Sequence, residues 1–97
     1  MMTTDEYLQR LKQFKVQYAE EYGIERIGIF GSVARGEQAE GSDIDIYYEG
    51  KSLGLKSLVG LPAELEKILG VKVDVVRKHK NLSSSFMKRI MDEIVYA

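Results

Sequence analysis

The sequence predicts an α/β (α+β) domain in which helices pack on a central sheet. Three short runs rich in β-branched and other apolar residues have the composition of strands, at residues 26–30, 44–48 and 71–76. Segments with apolar residues at helical spacing lie before, between and after these runs. Because strands and helices alternate over a chain of 97 residues, we expect one domain, residues 1–97, with one modest core.

The first helix is predicted over residues 4–22. Thr3 and Glu6 have the spacing of a capping box, and Gly23 supplies the residue at which the helix ends. We expect the apolar face of this helix to pack on the sheet. That face consists of Leu8, Leu11, Phe14, Tyr18 and Tyr22.

The elements after the first strand are short. Residues 32–35 have the character of a brief helix, and a polar loop leads from it to the second strand. Two helical pieces are predicted over residues 55–60 and 62–69, because Gly60 weakens a helix and Pro62 favours a first helical turn. A last helix is predicted over residues 84–96, after the third strand.

The composition excludes several classes of function. The formal net charge is −1, from 14 basic and 15 acidic residues, so no overall positive field attracts nucleic acid. The absence of cysteine excludes disulfides and thiolate zinc sites. No run approaches the roughly 18 apolar residues of a membrane span, and the first residues lack the pattern of a signal peptide. We therefore expect a cytoplasmic protein without membrane contacts, for which nucleic acid is not a direct partner.

The most specific pattern is the spacing between Gly31-Ser32 and Asp43-Ile44-Asp45, with ten residues between the two motifs. Side chains alternate faces along a strand, so Asp43 and Asp45 point the same way. A third carboxylate, Asp74, lies within the third apolar run. We expect these carboxylates to be buried or half-buried, where unpaired charge is costly, so a divalent cation is the expected counter-charge. The structural alternative is a capping aspartate with an exposed neighbour, and for Asp74 a half-exposed position on an edge strand.

These residues resemble the nucleotidyltransferase superfamily of the DNA polymerase β type, and in particular its short members, the minimal nucleotidyltransferases (MNT) of MNT/HEPN toxin–antitoxin pairs. The likeness extends from about residue 7 to residue 96. It implies the nucleotidyltransferase fold, a small mixed β-sheet flanked by helices in a single minimal catalytic domain. The segments that carry it are Ile29-Phe30-Gly31-Ser32-Val33-Ala34-Arg35-Gly36, Ser42-Asp43-Ile44-Asp45-Ile46 and Val73-Asp74-Val75-Val76.

The resemblance implies transfer of a nucleotidyl group from ATP with the help of two Mg²⁺ ions, Mn²⁺ being an alternative. Such ions neutralise charge on the phosphate oxygens and hold the reacting groups in line. Asp43 and Asp45 would bridge both ions, and Asp74 would complete the catalytic ion and serve as the base. Gly31 would let the triphosphate approach the backbone, and Ser32 would offer its hydroxyl and its amide.

Two further side chains have alternative interpretations. Arg35 lies one helical turn beyond the Gly-Ser pair, and would either clamp the triphosphate or pair with a carboxylate such as Glu37. Tyr47 shares the predicted face of Asp45, so it would either border the nucleotide or pack in the core.

A chain of this length has no room for a separate acceptor-binding domain, so the acceptor would come from a partner. The resemblance implies that this partner is a HEPN ribonuclease toxin whose tyrosine hydroxyl receives AMP, which would make the chain a type VII-like antitoxin. Two alternatives stay open: a non-catalytic antitoxin that neutralises its partner by binding alone, and a small-molecule nucleotidyltransferase. A wide apolar stripe on the last helix would in part pack in the core and in part form a protein interface, and it consists of Phe86, Met87, Ile90, Met91, Ile94 and Val95.

Overall fold

The computed structural model describes residues 2–97, which form one four-stranded sheet with helices on both faces. The strands are β1 (Ile24–Phe30), β2 (Ile44–Gly50), β3 (Val73–Arg77) and β4 (Val95–Tyr96). Their order across the sheet is β3-β2-β1-β4. β1 pairs antiparallel with β2 and with β4, whereas β2 pairs parallel with β3. The predicted fold class, a small mixed sheet flanked by helices, is therefore confirmed.

Two of the four α-helices in the described part of the chain begin at side-chain caps. The helices are α1 (Thr4–Tyr18), α2 (Gly31–Ala34), α3 (Leu61–Leu69) and α4 (Ser84–Glu93), and a π-helical segment (Lys56–Gly60) runs directly into α3. Thr3 and Glu6 form the predicted capping box, in which each side chain accepts the backbone N–H of the other residue at 3.2 Å. The Ser83 hydroxyl accepts the backbone N–H of Phe86 at 3.2 Å and caps α4. Within residues 2–97, no helix has the length and apolar content to cross a membrane.

The two faces of the sheet carry separate apolar clusters. α1 and α3 cover the first face, where the buried residues include Leu11, Ile27, Ile29, Ile44, Ile46 and Leu65. α4 covers the second face and packs Ile90 against Phe30 and Tyr47. Because neighbouring residues of a strand alternate faces, Asp45 lies on the α4 face between Ile44 and Ile46. The candidate site is therefore on the face that α4 covers.

The first helix is shorter than predicted. α1 ends at Tyr18, and turns over residues 19–23 deliver the chain to β1 at Ile24. Gly23 has a φ of +64°, and the backbone N–H of Ile24 bonds the carbonyl of Ala19 at 2.8 Å. Tyr22 is buried in the same cluster as the helix and its ring stacks on Phe14, so the apolar spacing continues although the helix does not.

The last predicted helix is also too long, because its final residues form a strand. α4 ends at Glu93, and β4 pairs with β1 through Gly28 and Ile29. Without β4 this edge of β1 would expose unpaired backbone groups, and pairing satisfies them. Gly28 makes the approach possible, since a Cβ there would lie 2.7 Å from the carbonyl oxygen of Val95.

The apolar stripe of the last helix is mostly core. Ile90 is fully buried, and three further members are half-buried against the sheet. Only Met91 and Val95 are exposed, at 43% and 37%. The width of the stripe therefore reflects packing on the second face of the sheet more than a free docking surface.

Strand boundaries differ slightly from the predicted ones. β1 begins two residues earlier than expected, and β3 begins at Val73 instead of residue 71. The backbone N–H of Val73 is bonded by the Glu66 carboxylate at 3.1 Å. The two helical pieces predicted before β3 are continuous, because the π-helical segment leads into α3 without a break.

The substitution Ile90→Ala is expected to lower the free energy of unfolding by about 2–5 kcal/mol, because it leaves a cavity between α4 and the sheet. Val16→Ala on α1 is the matched control, since Val16 is 90% exposed and its loss should change stability by less than about 0.5 kcal/mol. Urea denaturation of both variants measures the difference. Equal losses would show that α4 is not anchored through Ile90.

Candidate nucleotide and metal site

The strand register brings the two halves of the predicted motif together. Phe30 at the end of β1 pairs with Asp45 on β2, so Gly31 follows directly beside that aspartate. Gly31 has a φ of +74°, a backbone conformation that favours glycine. A Cβ at this position would collide with the Asp45 carboxylate oxygen Oδ2. Glycine is therefore favoured here for two reasons, the positive φ of the backbone and the lack of room for a Cβ beside Asp45.

Asp74 is placed beside Asp45 by the parallel pairing of β2 and β3. The two residues are direct register partners, and neighbouring strands lie about 4.8 Å apart. Asp43 precedes β2 by one residue, and its charge acts on Asp45. The structure thus gathers the three predicted aspartates at one end of two adjacent strands.

The burial of these aspartates differs from the expectation. Asp45 is half-buried, but Asp43 and Asp74 are exposed, so the expectation of three buried or half-buried carboxylates is wrong for those two. β3 is an edge strand and Asp43 lies in the loop before β2, so neither is covered by another element. Among residues 2–97, no group of three or more His, Cys, Asp or Glu side chains is arranged closely enough to hold one metal ion.

The charge around Asp45 is unbalanced. Burial raises the pKa of Asp45, and the negative charge of Asp74 raises it further, followed by smaller contributions from Asp43 and Glu93. The positive charge of Arg89 opposes this shift. A divalent cation would supply the missing positive charge, and carboxylate oxygens are the ligands that Mg²⁺ prefers. The donor set of Asp43, Asp45 and Asp74 therefore fits Mg²⁺ in its chemistry.

Ser32 and Arg35 lie on the Gly31 side of the site. Ser32 is half-buried as the second residue of α2. The Arg35 guanidinium is paired with two carboxylates, through Nε to Glu37 at 3.2 Å and through Nη1 to Glu93 at 2.7 Å. The pairing with Glu37 was one of the two interpretations of Arg35, and its role toward phosphate stays a prediction.

Glu93 is the residue of the site that sequence reasoning missed. Its carboxylate accepts the backbone N–H of Gly31 at 3.0 Å and contacts Arg35 as described. Glu93 follows the buried Ile90 by three residues, a spacing that places both on the same face of a helix. A carboxylate on the sheet-facing side of an amphipathic helix was the signal that could have identified it.

Tyr47 belongs to the core. It is fully buried against Phe30 and Ile90, and its hydroxyl donates to the Glu49 carboxylate at 2.8 Å. Burial, together with this hydrogen bond, raises the pKa of Tyr47. Packing is therefore the correct one of its two interpretations.

Open space adjoins the aspartates on the side of Asp43. A cavity of about 340 Å³ lies there and is lined by Gly41, Ser42, Asp43, Val71 and Lys72. Lys72 brings a positive charge to the rim of this cavity, where an anionic ligand could reach the end of β2.

Gly31→Ala is expected to destabilise the protein more than Gly36→Ala. Gly36 also has a positive φ, +71°, but a Cβ there meets nothing within 4 Å, so its replacement costs only backbone strain, about 1–2 kcal/mol. Gly31→Ala adds the displacement of Asp45. Denaturant unfolding of the pair isolates that additional cost, and equal losses would show that Gly31 and Asp45 are not in contact.

Asp45→Asn is expected to raise the melting temperature at pH 7 in EDTA. The gain should shrink as the pH falls through the raised pKa of Asp45, and it should be lost below 3.8, the ordinary pKa of the carboxyl. Because the folded state raises the pKa of Asp45, ionisation is less favourable in the folded chain, and stability is lost as pH rises through that pKa. Melting curves at pH 3 and pH 7 check this. Asp92→Asn, an exposed change on α4, is the control, and a lower melting temperature of Asp45→Asn at pH 7 would contradict the electrostatic argument.

Comparison with known proteins assigns the family. The profile described as the nucleotidyltransferase domain matches residues 8–97. The protein adenylyltransferase MntA of Thermococcus cleftensis is 37% identical over 97 residues, which span 99% of this chain and 97% of that protein.

Solved structures agree with the fold. A minimal nucleotidyltransferase superimposes with a TM-score of 0.78 at 30% identity, covering 97% of this chain and 95% of the other. A complex of the tri-AMPylated Shewanella oneidensis HEPN toxin with its MNT antitoxin matches with a TM-score of 0.68, over 97% of this chain and 71% of that one. Its identity is 17%, so it shows the fold alone. The chain therefore belongs to the nucleotidyltransferase domain family, as the resemblance of its motifs to minimal nucleotidyltransferases predicted.

Proposed function

We propose that this protein is a metal-dependent protein adenylyltransferase that acts as an antitoxin by transferring AMP from ATP to a tyrosine hydroxyl of a HEPN-type toxin. The observation that carries the proposal is the row formed by Asp45 and Asp74 on adjacent strands, directly beside the Gly31 turn. Carboxylates at this position can hold the cations that phosphate chemistry needs, and the turn gives the phosphates access to the backbone.

The chemistry assigns a role to each of the three aspartates. The acceptor oxygen bonds to the α-phosphorus of ATP, the bond from that phosphorus to the oxygen bridging the β-phosphate breaks, and pyrophosphate leaves. Asp43, Asp45 and Asp74 would hold two Mg²⁺ or Mn²⁺ ions, which neutralise the charge on the phosphate oxygens when bound. Asp74 receives the proton of the acceptor hydroxyl. Its exposure on an edge strand supports this role, because a hydroxyl on a second protein can reach it there.

The acceptor and the nucleotide are supported by the relatives. The MntA relative, similar over nearly its whole length, is named a protein adenylyltransferase. The MNT antitoxin that shares the fold is bound to a HEPN toxin carrying AMP groups. We extend both properties to this chain because its Gly-Ser and Asp-x-Asp motifs come together as the reaction requires.

Exposed apolar side chains favour a protein partner. Leu55, Leu58 and Val59, on and beside the π-helical segment, are 76%, 74% and 62% exposed. Like Met91 and Val95, they are exposed large apolar groups of the kind that a docking protein would cover. A stable interface of ordinary size would bury about 1,200–2,000 Å² in total.

A second candidate function is an antitoxin that neutralises its partner by binding alone. The exposure of Asp43 and Asp74 favours it, because solvated carboxylates need no counter-charge. The two candidates differ in whether the partner is chemically modified.

The co-expressed pair of this chain and a HEPN-type toxin is expected to gain the mass of one or more adenylyl groups on the toxin when Mg²⁺ and ATP are supplied. Intact-mass spectrometry measures the gain, which EDTA should prevent. Asp45→Asn should abolish the gain while the two chains still co-purify, because the substitution removes a metal ligand and not the docking surface.

Asp92→Asn is the control for the proposed function, since it removes an exposed carboxylate that pairs with Lys88 away from the site. It should leave the mass gain intact. If the Asp45→Asn variant leaves the toxin unmodified and still neutralises its toxicity, the binding-only antitoxin is favoured. Full modification by Asp45→Asn would contradict the metal-site assignment.

A further inference from the structure

One carboxylate of α4 holds two parts of the Gly31 turn together. Glu93 Oε2 accepts the backbone N–H of Gly31 at 3.0 Å, and Oε1 contacts Arg35 Nη1 at 2.7 Å. A second cation, Arg89, lies 3.9 Å from Glu93 Oε1 through its Nε. The contacts bridge residues that are 58 and 62 positions apart in the chain. Glu93 therefore links the last helix to the first motif of the site.

This bridge differs from the ion pair that the neighbouring Asp92 makes. The Glu93 side chain is only 19% exposed, whereas Asp92 beside it is 65% exposed and pairs with Lys88 within the same helix. Exposed pairs within a helix contribute little, but a shielded carboxylate that accepts a backbone N–H and an arginine makes two charge-assisted hydrogen bonds. The buried Ile90, one turn earlier, fixes the position of α4 from which Glu93 reaches the turn.

The turn is thus held between two carboxylates. Asp45 occupies the space on the side where a Gly31 side chain would lie, and Glu93 takes the Gly31 N–H. With that amide engaged, Ser32 still offers its hydroxyl and its backbone amide to phosphate. The Arg35 guanidinium is likewise engaged, by Glu37 and Glu93.

We propose that Glu93 is a positioning residue of the nucleotide site, which fixes the Gly31 turn so that Ser32 meets the phosphates, and that Arg35 acts through Glu93 instead of binding phosphate itself. The inference rests on the proposed function and adds to it the element that orders the phosphate-binding turn. It assigns to α4 a role in nucleotide binding that is separate from its packing on the sheet.

The test compares Glu93→Ala and Glu93→Gln with Asp92→Asn. ATP affinity is measured by calorimetry with Mg²⁺ present, and KM and kcat for AMP transfer are measured with the co-purified toxin. Glu93→Ala should raise the ATP Kd and KM about tenfold, the loss expected for charge-assisted hydrogen bonds, with kcat at saturating ATP nearly unchanged. Glu93→Gln should lose less, because its amide oxygen can still accept the Gly31 N–H. Asp92→Asn should behave as the wild type.

A double substitution separates the two roles of Arg35. If Arg35 acts through Glu93, then Arg35→Gln in the Glu93→Ala background should add little to the rise in ATP Kd. If instead the rise in ATP Kd of the double variant is the product of the two single rises, Arg35 binds phosphate directly and that part of the inference is overturned. If Glu93→Ala lowers both kcat and the melting temperature but leaves KM unchanged, the role of Glu93 is structural only and the whole inference is overturned.

Two further outcomes are decisive. An unchanged or tighter ATP affinity of Glu93→Ala would overturn the inference, since a tighter one would mean that Glu93 competes with phosphate. If the wild-type chain binds ATP and modifies its partner, and Glu93→Ala does so with the same ATP Kd and KM, the inference fails and the proposed function stands. If the wild-type chain does not bind ATP with Mg²⁺, both are overturned.

Discussion

The row of register partners Phe30, Asp45 and Asp74 across β1, β2 and β3 determines where every other part of the site lies. A slip of one residue in β2 would turn Asp45 into the core beneath α1 and expose its buried isoleucine neighbours. Ile44 and Ile46 are fully buried on the opposite face, so their packing holds the register that brings the aspartates together. Apolar packing on one face of the sheet thereby fixes the chemistry on the other.

The register also explains why the carboxylates of the site repel one another when no cation is bound. Parallel pairing places one carboxylate beside another, and α4 adds the Glu93 carboxylate on the same face. The raised pKa of Asp45 is the consequence, and Arg89 offsets it only in part. A fold that accepts this repulsion gives a divalent cation an attractive position, so the same pairing that weakens the metal-free protein favours the ion.

Sequence reasoning found the features that depend on local chemistry. Two examples are the capping box of Thr3 and Glu6 and the spacing between Gly31 and Asp45. Both are motifs of residues that lie close together in the sequence. The same reasoning placed the end of α1 and the end of the last helix too late, because Tyr22 and the β4 residues keep an apolar pattern while tertiary contacts decide their conformation. Glu93 was missed for the same reason, since its partners lie about sixty residues away.

The last helix and β4 do more than complete the fold. β4 pairs with β1 beside Gly28, α4 packs through Ile90, and Glu93 then reaches the turn that follows β1. The three contacts lie along one strand, so the position of the C-terminal segment and the geometry of the Gly31 turn cannot change independently. A partner that docks on the exposed Met91 or Val95 would therefore act on the segment that carries Glu93, and binding at that surface would be coupled to the ordering of the nucleotide site.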